Sequence, residues 1–290
     1  MTVDILVTGA SGRTGQAIVR AMARGGHAVR FLTRQTEYVG DLRDVAGAQA
    51  VTGDLANDSD VRSAVDGVDV VYHIPPNMNP GEIPFGTRIA AAARTAGVKH
   101  FVYHSVLHPQ IEALPHHWNK VFVEQAVIES GVPFTILQPS SYMQNTLPDW
   151  PAISREGVHT LGFSVKARLS LVDLDDVAEA ATKVIGRPEH AAAIYELAGP
   201  EMLSGEDKAR VLTQVLGRPV RAVQQSPEAF RGKAAAAGMA QHVIDTRLAM
   251  FAHYGHQGLA GNANVLEMLL GRPATTFEQF ARRTADAQNG

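Results

Sequence analysis

The stretch Thr8–Gly15 reads TGASGRTG, directly after the apolar run Asp4–Thr8 and before a helix-like segment. Gly9 permits a tight turn, Gly12 lets backbone N–H groups approach a phosphate, and Gly15 lets a helix pack closely on a sheet. A glycine triplet between a strand and a helix is typical of a loop that binds a dinucleotide pyrophosphate. An ordinary strand–turn–helix connection is the alternative. The candidate cofactor contacts of this loop are Thr8, Gly9, Ser11, Gly12, Arg13, Thr14 and Gly15.

Outward from this loop, strand-like runs alternate with helix-like segments. The predicted strands are Asp4–Thr8, Ala28–Thr33, Ala50–Thr52, Val68–Ile74, His100–His104 and Pro133–Leu137. The predicted helices are Arg13–Arg24, Asn57–Val65, Ile83–Ala96 and Pro115–Ser130. This alternation favours an α/β fold, a Rossmann-type doubly wound parallel sheet with helices on both faces. Such sheets bind ligands beyond the carboxyl ends of their strands.

The second half of the chain is less regular and predicts a smaller, mostly helical substrate lobe. We expect a dinucleotide-binding core over residues 1–146 and this lobe over 147–290, with 169–186 returning to the core. Residues 147–161 have a loop-like pattern. The other predicted elements are a strand at Leu169–Val172 and helices at Leu174–Ile185, Gly205–Leu216, Pro227–Ala237 and Phe277–Ala287. Thr275 and Glu278 have the spacing of a capping box at the last helix.

Composition excludes several functional classes. The 290 residues include no cysteine, which excludes disulfides and thiolate metal sites. With 26 Lys and Arg against 29 Asp and Glu, the net charge of −3 gives no electrostatic footprint for nucleic acid. No apolar run approaches the roughly 20 residues of a membrane helix, and the first residues have Asp4 and glycines where a signal peptide has a basic end and a long apolar stretch, so we expect a cytoplasmic protein without a membrane partner.

Two clusters resemble other kinds of site. His104, His108, His116 and His117 are close in sequence, but no carboxylate completes a recognisable set of metal ligands, so no metal site is predicted. Asp173, Asp175 and Asp176 crowd a helix start, where capping and the helix dipole explain acids more simply than catalysis does.

Residues after the second and third strands are candidates for the adenosine end of a dinucleotide. Thr33-Arg34 places a guanidinium where an NAD-binding protein has an acid, which suits the 2′-phosphate of NADP. Arg13 can add a second cation, although either arginine can instead be a solvated surface residue. Glu37 lies past the strand end and is not interpreted as the ribose acid. Asp54-Leu55 falls at the adenine edge, with helix capping as the alternative for Asp54.

Residues after the fourth and sixth strands are candidates for the rest of the cofactor. His73, Ile74 and Pro75 can wall the pocket beneath the pyrophosphate and ribose. Pro139 and Tyr142 follow the sixth strand at the nicotinamide end. Met143, Trp118 and Trp150 are either an apolar wall of a pocket or part of the core.

Several motifs together resemble the short-chain dehydrogenase/reductase superfamily and, within it, the atypical NmrA-like branch. They are TGASGRTG with Arg34, GDL at Gly53–Leu55, VKHFVYHSVLHP at Val98–Pro109, HHWNK at His116–Lys120, FTILQPSSYMQN at Phe134–Asn145 and VDLDDVAEAA at Val172–Ala181. The resemblance spans nearly the whole chain and implies NAD(P) binding, usually NADP. The branch includes reductases of quinones and enones as well as proteins that only sense NADP(H).

The resemblance also implies catalytic residues. Ser105 and Lys120 match the superfamily's Ser and Lys, whereas the position of its Tyr holds His116. This departure argues against the usual tyrosinate relay. Lys120 is expected to bind the nicotinamide ribose, with His116 or a water supplying a proton. The alternative is a surface pair of Lys120 with Glu124, four residues on along one helix face.

These observations lead to two hypotheses. The first is an NADP(H)-dependent oxidoreductase that transfers hydride to a small apolar or aromatic acceptor such as a quinone, enone or carbonyl. The second is a regulatory protein that binds NADP(H) without turnover and responds through a partner protein; the missing Tyr supports it.

Overall fold

The structure is a computed structural model, and it describes residues 2–35 and 40–289. The strands are β1 (Asp4–Val7), β2 (Ala28–Thr33), β3 (Ala48–Thr52), β4 (Val70–His73), β5 (His100–His104), β6 (Phe134–Pro139), β7 (Ser141–Tyr142), β8 (Val158–Leu161), β9 (Leu169–Val172), β10 (Ala193–Leu197), β11 (Met202–Leu203) and β12 (Arg221–Gln224). The helices are α1 (Arg13–Arg24), α2 (Asp58–Val65), α3 (Glu82–Thr95), α4 (Pro115–Glu129), α5 (Trp150–Glu156), α6 (Leu174–Val184), α7 (Gly205–Leu216), α8 (Pro227–Ala236), α9 (Gln241–Gln257), α10 (Asn264–Leu270) and α11 (Phe277–Asn289).

The described chain divides into two compact units that interleave in sequence. The first unit comprises Met1–Ile111, His116–Gln138 and Val177–Tyr195. The second comprises Glu112–Pro115, Pro139–Asp176 and Glu196–Gly290. Residues 177–195 thus belong with the N-terminal part of the chain, whereas residues 139–146 belong with the C-terminal part.

The first unit is built on a seven-stranded sheet in the order β10-β6-β5-β4-β1-β2-β3. Strands β1 to β6 all pair in parallel. Ile5, Leu6 and Val7 of β1 are fully buried, as expected of a strand covered by helices on both faces. The strand order reverses between β1 and β4, and crevices at such reversals hold the ligands of open α/β sheets. The predicted Rossmann-type fold is confirmed.

Helices α3 and α4 pack unusually closely in the first unit. A Cβ added to Gly86 of α3 would lie 2.4 Å from Cγ1 of Val123 on α4, so only glycine allows this approach. Glu82 lies one turn before Gly86, and Lys120 lies three residues before Val123. Since residues three and four apart share a helix face, the close packing brings Glu82 and Lys120 together.

The structure of the second unit differs from several of the sequence-based predictions. Residues 147–161 are not a loop, because they contain α5 and β8, and β8 pairs in parallel with β12. The strands β10 and β12 and the helices α9 and α10 were not predicted. Of the seventeen residues in α9 only Ile244 and Tyr254 are buried, so this helix has little of the apolar periodicity that marks a helix in sequence.

The capping box of α11 also differs from the prediction by one residue. Thr276 N donates to Gln279 Oε1 at 2.9 Å, and Gln279 N donates to Thr276 Oγ1 at 3.2 Å. Thr275 instead donates its backbone N–H to Asp176 Oδ2 at 2.6 Å. The acidic cluster at α6 caps as predicted, since Asp173 Oδ1 accepts from Asp175 N at 3.1 Å.

Candidate functional site

The glycine loop between β1 and α1 has room for nothing larger than glycine at two positions. Gly9 has φ +67°, and a Cβ there would lie 2.7 Å from the carbonyl oxygen of Ile74. A Cβ on Gly15 would lie 2.2 Å from the carbonyl oxygen of Gly9. The loop therefore packs tightly against the end of β4 and the start of α1.

The N-terminus of α1 lies just beyond the carboxyl end of β1. Gly12 is the N-cap residue, no described side chain caps the helix, and the first turn contains no acid. Ser11 and Arg13 are exposed, and Thr14 is half-buried. Uncapped N–H groups and the positive end of the helix dipole fit the pyrophosphate of a dinucleotide.

Thr8 and His73 tie the end of β1 to the end of β4. Thr8 Oγ1 lies 2.8 Å from Nδ1 of His73 and accepts from Ile74 N at 3.0 Å. Both side chains are fully buried, so they support the base of the loop rather than face solvent. Burial, helped by the charge of Lys120, lowers the pKa of His73 to about 3, which keeps it neutral. Pro75, next to Ile74, is also buried.

The candidates for the adenosine end follow β2 and β3. Arg34 is exposed directly after the last residue of β2, where a guanidinium can reach a phosphate. Asp54 is half-buried, and its Oδ1 accepts from Ala56 N at 2.9 Å in a local turn. Asn57, not Asp54, caps α2, because Asn57 Oδ1 accepts from Ser59 N at 2.9 Å. Leu55 is 9% exposed. Glu37 lies outside the described residues.

Lys120 is buried and makes an ion pair that the sequence did not reveal. Its Nζ lies 2.5 Å from Oε1 of Glu82, whose side chain is fully buried. The alternative of a surface pair between Lys120 and Glu124 is therefore wrong. Burial raises the pKa of Glu82, and the charge of Lys120 opposes that shift. The ammonium group has three N–H donors, and the pair with Glu82 uses one of them.

Ser105 at the end of β5 contacts Glu124 on α4. Its Oγ lies 2.5 Å from Glu124 Oε1, and Gln138 Nε2 donates to the same oxygen at 2.9 Å. Ser105, Glu124 and Gln138 are 4%, 8% and 7% exposed, so this carboxyl group is largely shielded from water. Glu124 interacts electrostatically with Lys120 and Tyr103, and Tyr103 with Glu82. These residues form one cluster, which we call the buried carboxyl cluster. Its members are Glu82, Tyr103, Ser105, Lys120, Glu124 and Gln138.

His116, which stands at the Tyr position, is held neutral. Burial is the main reason that its pKa falls to about 3, with His117 and Lys120 contributing. Its Nδ1 is buried without a hydrogen-bond partner among the described residues. The ring stacks edge-on against His117 with centroids 4.6 Å apart. A neutral imidazole is a poor acid, so this geometry disfavours His116 as a proton donor.

The remaining candidate residues differ in how deeply they are buried and in the element that carries them. Pro139 is buried at the end of β6, and Tyr142 is half-buried in β7, where it pairs with Val172 of β9. Met143 and Trp150 are 0% and 1% exposed and belong to the core of the second unit rather than to a pocket wall. Elsewhere, Trp118 of α4 contacts Phe122, which is 41% exposed.

Sequence reasoning missed Glu82, Gln138 and Tyr103 as members of the cluster. Glu82 begins α3, and an acid in the first turn of a helix is ordinarily explained by the helix dipole. Gln138 and Tyr103 lie within apolar strands and carry no distinguishing spacing. The pattern of residues four apart that grouped Lys120 with Glu124 was the only available signal.

Neither a metal centre nor a membrane span emerges from the described residues. No group of three or more His, Asp or Glu side chains over 2–35 and 40–289 is arranged to hold a metal ion. His117 Nδ1 instead donates to the backbone oxygen of His108 at 3.2 Å. None of the helices in the described part of the chain is long and apolar enough to cross a membrane.

Four buried histidines predict a steep loss of stability in acid. Burial lowers the pKa of each, to about 4 for His100 and to about 3 for His73, His104 and His116. In the unfolded chain these histidines have their ordinary pKa of 6.5, so below that pH the unfolded chain binds more protons than the folded chain does. The free energy of unfolding should fall with pH by about 1.4 kcal/mol per pH unit per histidine between about pH 6 and 4, partly offset by the raised pKa values of Glu82 and Glu124.

Urea unfolding at pH 7.0, 6.0 and 5.0 measures this dependence. His100 bonds Thr135 at 2.9 Å and accepts from Gly186 N at 3.1 Å, which requires a neutral ring. His100→Gln should therefore reduce the slope of unfolding free energy against pH by the contribution of about one proton. His242→Gln, at an exposed position of α9, is the matched control and should leave the slope unchanged. Equal stability at pH 7.0 and 5.0 would contradict the prediction.

Comparison with known proteins agrees with this geometry. The NmrA-like family matches residues 1–280. The chain is 31% identical over 285 residues to the NAD(P)H azoreductase of Xenophilus azovorans, covering 98% of each protein. Among solved structures, NADPH-dependent quinone oxidoreductase from Escherichia coli in complex with NADPH superposes with a TM-score of 0.83 at 24% identity, over 97% of this chain and 99% of that one.

A third similar protein is Citrobacter triphenylmethane reductase in complex with NADP(H). Its TM-score is 0.83 at 21% identity, with 97% of this chain and 99% of that chain covered. The match along residues 1–280, the sheet order and the glycine loop show that this chain belongs to the NmrA-like family.

Proposed function

We propose that this chain is an NADP(H)-dependent oxidoreductase that reduces a small apolar acceptor: a quinone, an enone, a carbonyl or an aromatic azo compound. The observation that carries the proposal is the glycine loop, in which Gly9 and Gly15 leave no space for a Cβ beside an uncapped α1. The azo acceptor class follows the name of the relative with 31% identity.

The chain's own residues divide the work of holding the dinucleotide. The N–H groups at the start of α1 would hold the pyrophosphate, and Arg34 would hold the 2′-phosphate through charge-assisted hydrogen bonds. Two N–H donors of Lys120 bond no other described residue, and we assign them to the hydroxyl groups of the nicotinamide ribose. Asp54 and Leu55 remain candidates for the adenine, and Pro139 and Tyr142 for the nicotinamide end. The bound nicotinamide supplies the hydride, and the protein orients it and excludes water.

The direct test is NADPH oxidation by the purified protein with a panel of quinones, enones, carbonyls and azo dyes. Turnover with at least one class is expected. No oxidation with any of them, in a protein that binds NADPH tightly, would favour the regulatory hypothesis instead. That hypothesis would then require a partner protein whose binding changes between NADPH and NADP⁺.

Arg34 should set the preference for NADPH over NADH. Arg34→Ala is expected to weaken NADPH binding by about 10- to 100-fold, because hydrogen bonds to a charged group contribute about 1.5–3 kcal/mol. NADH binding should change little. Fluorescence titration with both cofactors measures the two affinities, and Arg24→Ala, exposed at the other end of α1, is the control. An unchanged ratio of the two affinities would remove Arg34 from the site.

A further inference from the structure

The buried carboxyl cluster contains a contact that the superfamily pattern does not supply. Ser105 stands at the carboxyl end of β5, the edge of the sheet that also carries the glycine loop. Its hydroxyl oxygen lies 2.5 Å from Glu124 Oε1. Ser105 donates this hydrogen bond, which has the length of a charge-assisted O–H···O contact. A path of one hydrogen bond therefore runs from Glu124 to the edge where an acceptor would bind.

Glu124 is a buried carboxyl group that shares its neighbouring cation with a second buried carboxyl group, Glu82. Burial raises the pKa of Glu124, and hydrogen bonds from Ser105 and Gln138 together with the charge of Lys120 oppose the shift. Tyr103 and Glu82 complete the groups of the cluster, and the Lys120 ammonium is already paired with Glu82 at 2.5 Å. Because Lys120 is paired with Glu82, two buried carboxyl groups share one ammonium charge, and this makes Glu124 the candidate carrier of a proton.

Reduction of a quinone or carbonyl needs that proton. The acceptor gains two electrons and one hydrogen as hydride at one atom, and its oxygen must then gain a proton. The usual Tyr is absent, and His116 is neutral. No water is needed for the step if a side chain already holds the proton.

We propose that Glu124 is the proton store of the reaction and that Ser105 passes its proton to the acceptor's oxygen. The O–H bond of Ser105 breaks as the new O–H bond on the acceptor forms. Ser105 recovers a proton from Glu124, which is left as a carboxylate and is reprotonated from solvent after product release. The inference rests on the proposed reductase function, and it makes Ser105 a catalytic residue and Glu124 its proton source.

Glu124→Gln tests the proposal, because glutamine can still accept from Ser105 but has no acid proton to give. The kcat for a quinone should fall by about 100-fold or more, the range that general acid catalysis supplies. In the wild type, kcat should decline as the pH rises through the pKa of Glu124. This decline should be missing in Glu124→Gln. Ser105→Ala should cause a similar loss, and the double variant should be little worse than either one, as expected of residues that act as a unit.

A readout independent of turnover is the infrared band of a protonated carboxyl group. It should be present in the wild-type protein at neutral pH and absent in Glu124→Gln. NADPH affinity, measured by fluorescence, should stay within about threefold. Glu129→Gln is the matched control, since Glu129 is exposed on the same helix and bonds only Gln125 among the described residues, at 2.9 Å.

An acceptor that needs no proton separates this inference from the reductase proposal. A cationic triarylmethane dye becomes neutral on taking hydride alone, so its reduction should depend far less on Glu124 than quinone reduction does. Equal losses with dye and quinone, or an unchanged quinone kcat in Glu124→Gln, would overturn the proton store. If the wild type reduces the quinone but not the dye, two other measurements test the proton store. Loss of the pH dependence of kcat and of the infrared band in Glu124→Gln would support it, and retention of both would overturn it. Failure of the wild type to reduce any acceptor would instead refute the reductase function.

Discussion

Glu82→Gln is expected to lower the free energy of unfolding by about 3–5 kcal/mol, the cost of leaving one member of a buried ion pair uncompensated. Glu82 is fully buried, and its Oε1 lies 2.5 Å from Lys120 Nζ, whose side chain is 10% exposed. The glutamine is nearly isosteric, so the loss reports the missing charge rather than a cavity. Urea unfolding at pH 7 measures it.

Two further variants separate charge from packing. Glu82→Gln combined with Lys120→Met removes both charges and should recover most of the lost stability, but it should abolish turnover because Lys120 is gone. Arg282→Gln breaks the exposed pair with Glu278, at 2.6 Å, and should cost less than about 1 kcal/mol. A loss for Glu82→Gln as small as that for Arg282→Gln would show that the buried pair is not a stabilising unit.

Gly15→Ala is expected to abolish tight NADPH binding, with a loss of affinity of at least about 100-fold, or about 2.8 kcal/mol. The new Cβ would lie 2.2 Å from the carbonyl oxygen of Gly9 and 2.5 Å from the Cα of Ala10. Both are backbone atoms of the loop itself, so α1 must move away from β1. Overpacking of this kind also costs about 1–3 kcal/mol of stability. Fluorescence titration and urea unfolding measure the two effects.

Gly232→Ala is the control for this substitution. Gly232 lies within α8, and a Cβ there would meet nothing within 4 Å. Alanine is a better helix former, so stability should rise by about 0.5–1 kcal/mol and NADPH affinity should not change. NADPH binding by Gly15→Ala at wild-type affinity would show that the close contact of the loop with α1 does not shape the cofactor site.

The alternation of the first unit was predictable because most of its strands are apolar and because a glycine follows α1, α3 and α4 within two residues. α1 was predicted with its observed bounds, since Gly25 follows its last residue. The error at 147–161 had an available signal: Pro151 lies in the first turn of α5, and Gly157, with φ +68°, ends it. α9 offered no comparable signal.

The site could be predicted only in part, because pairing depends on tertiary distance. The glycine loop and Ser105 follow from strand ends, which sequence reveals well. The partner of Lys120 is 38 residues away, and the helix spacing pointed to Glu124 instead. Only the close packing of Gly86 against Val123 shows why Glu82 is the partner.

The helix α6 also bears on how the protein is synthesised. Asp176 binds Arg272 at 2.7 Å across 96 positions, and Asp173 binds Arg283 at 2.6 Å across 110. On a ribosome, the acids at the start of α6 emerge long before their arginine partners are translated. The N-terminal sheet strands β1 to β6 can pair during synthesis, whereas the start of α6 waits for about a hundred further residues. Slow codons or pauses in that interval should prolong exposure of this segment to chaperones and proteases.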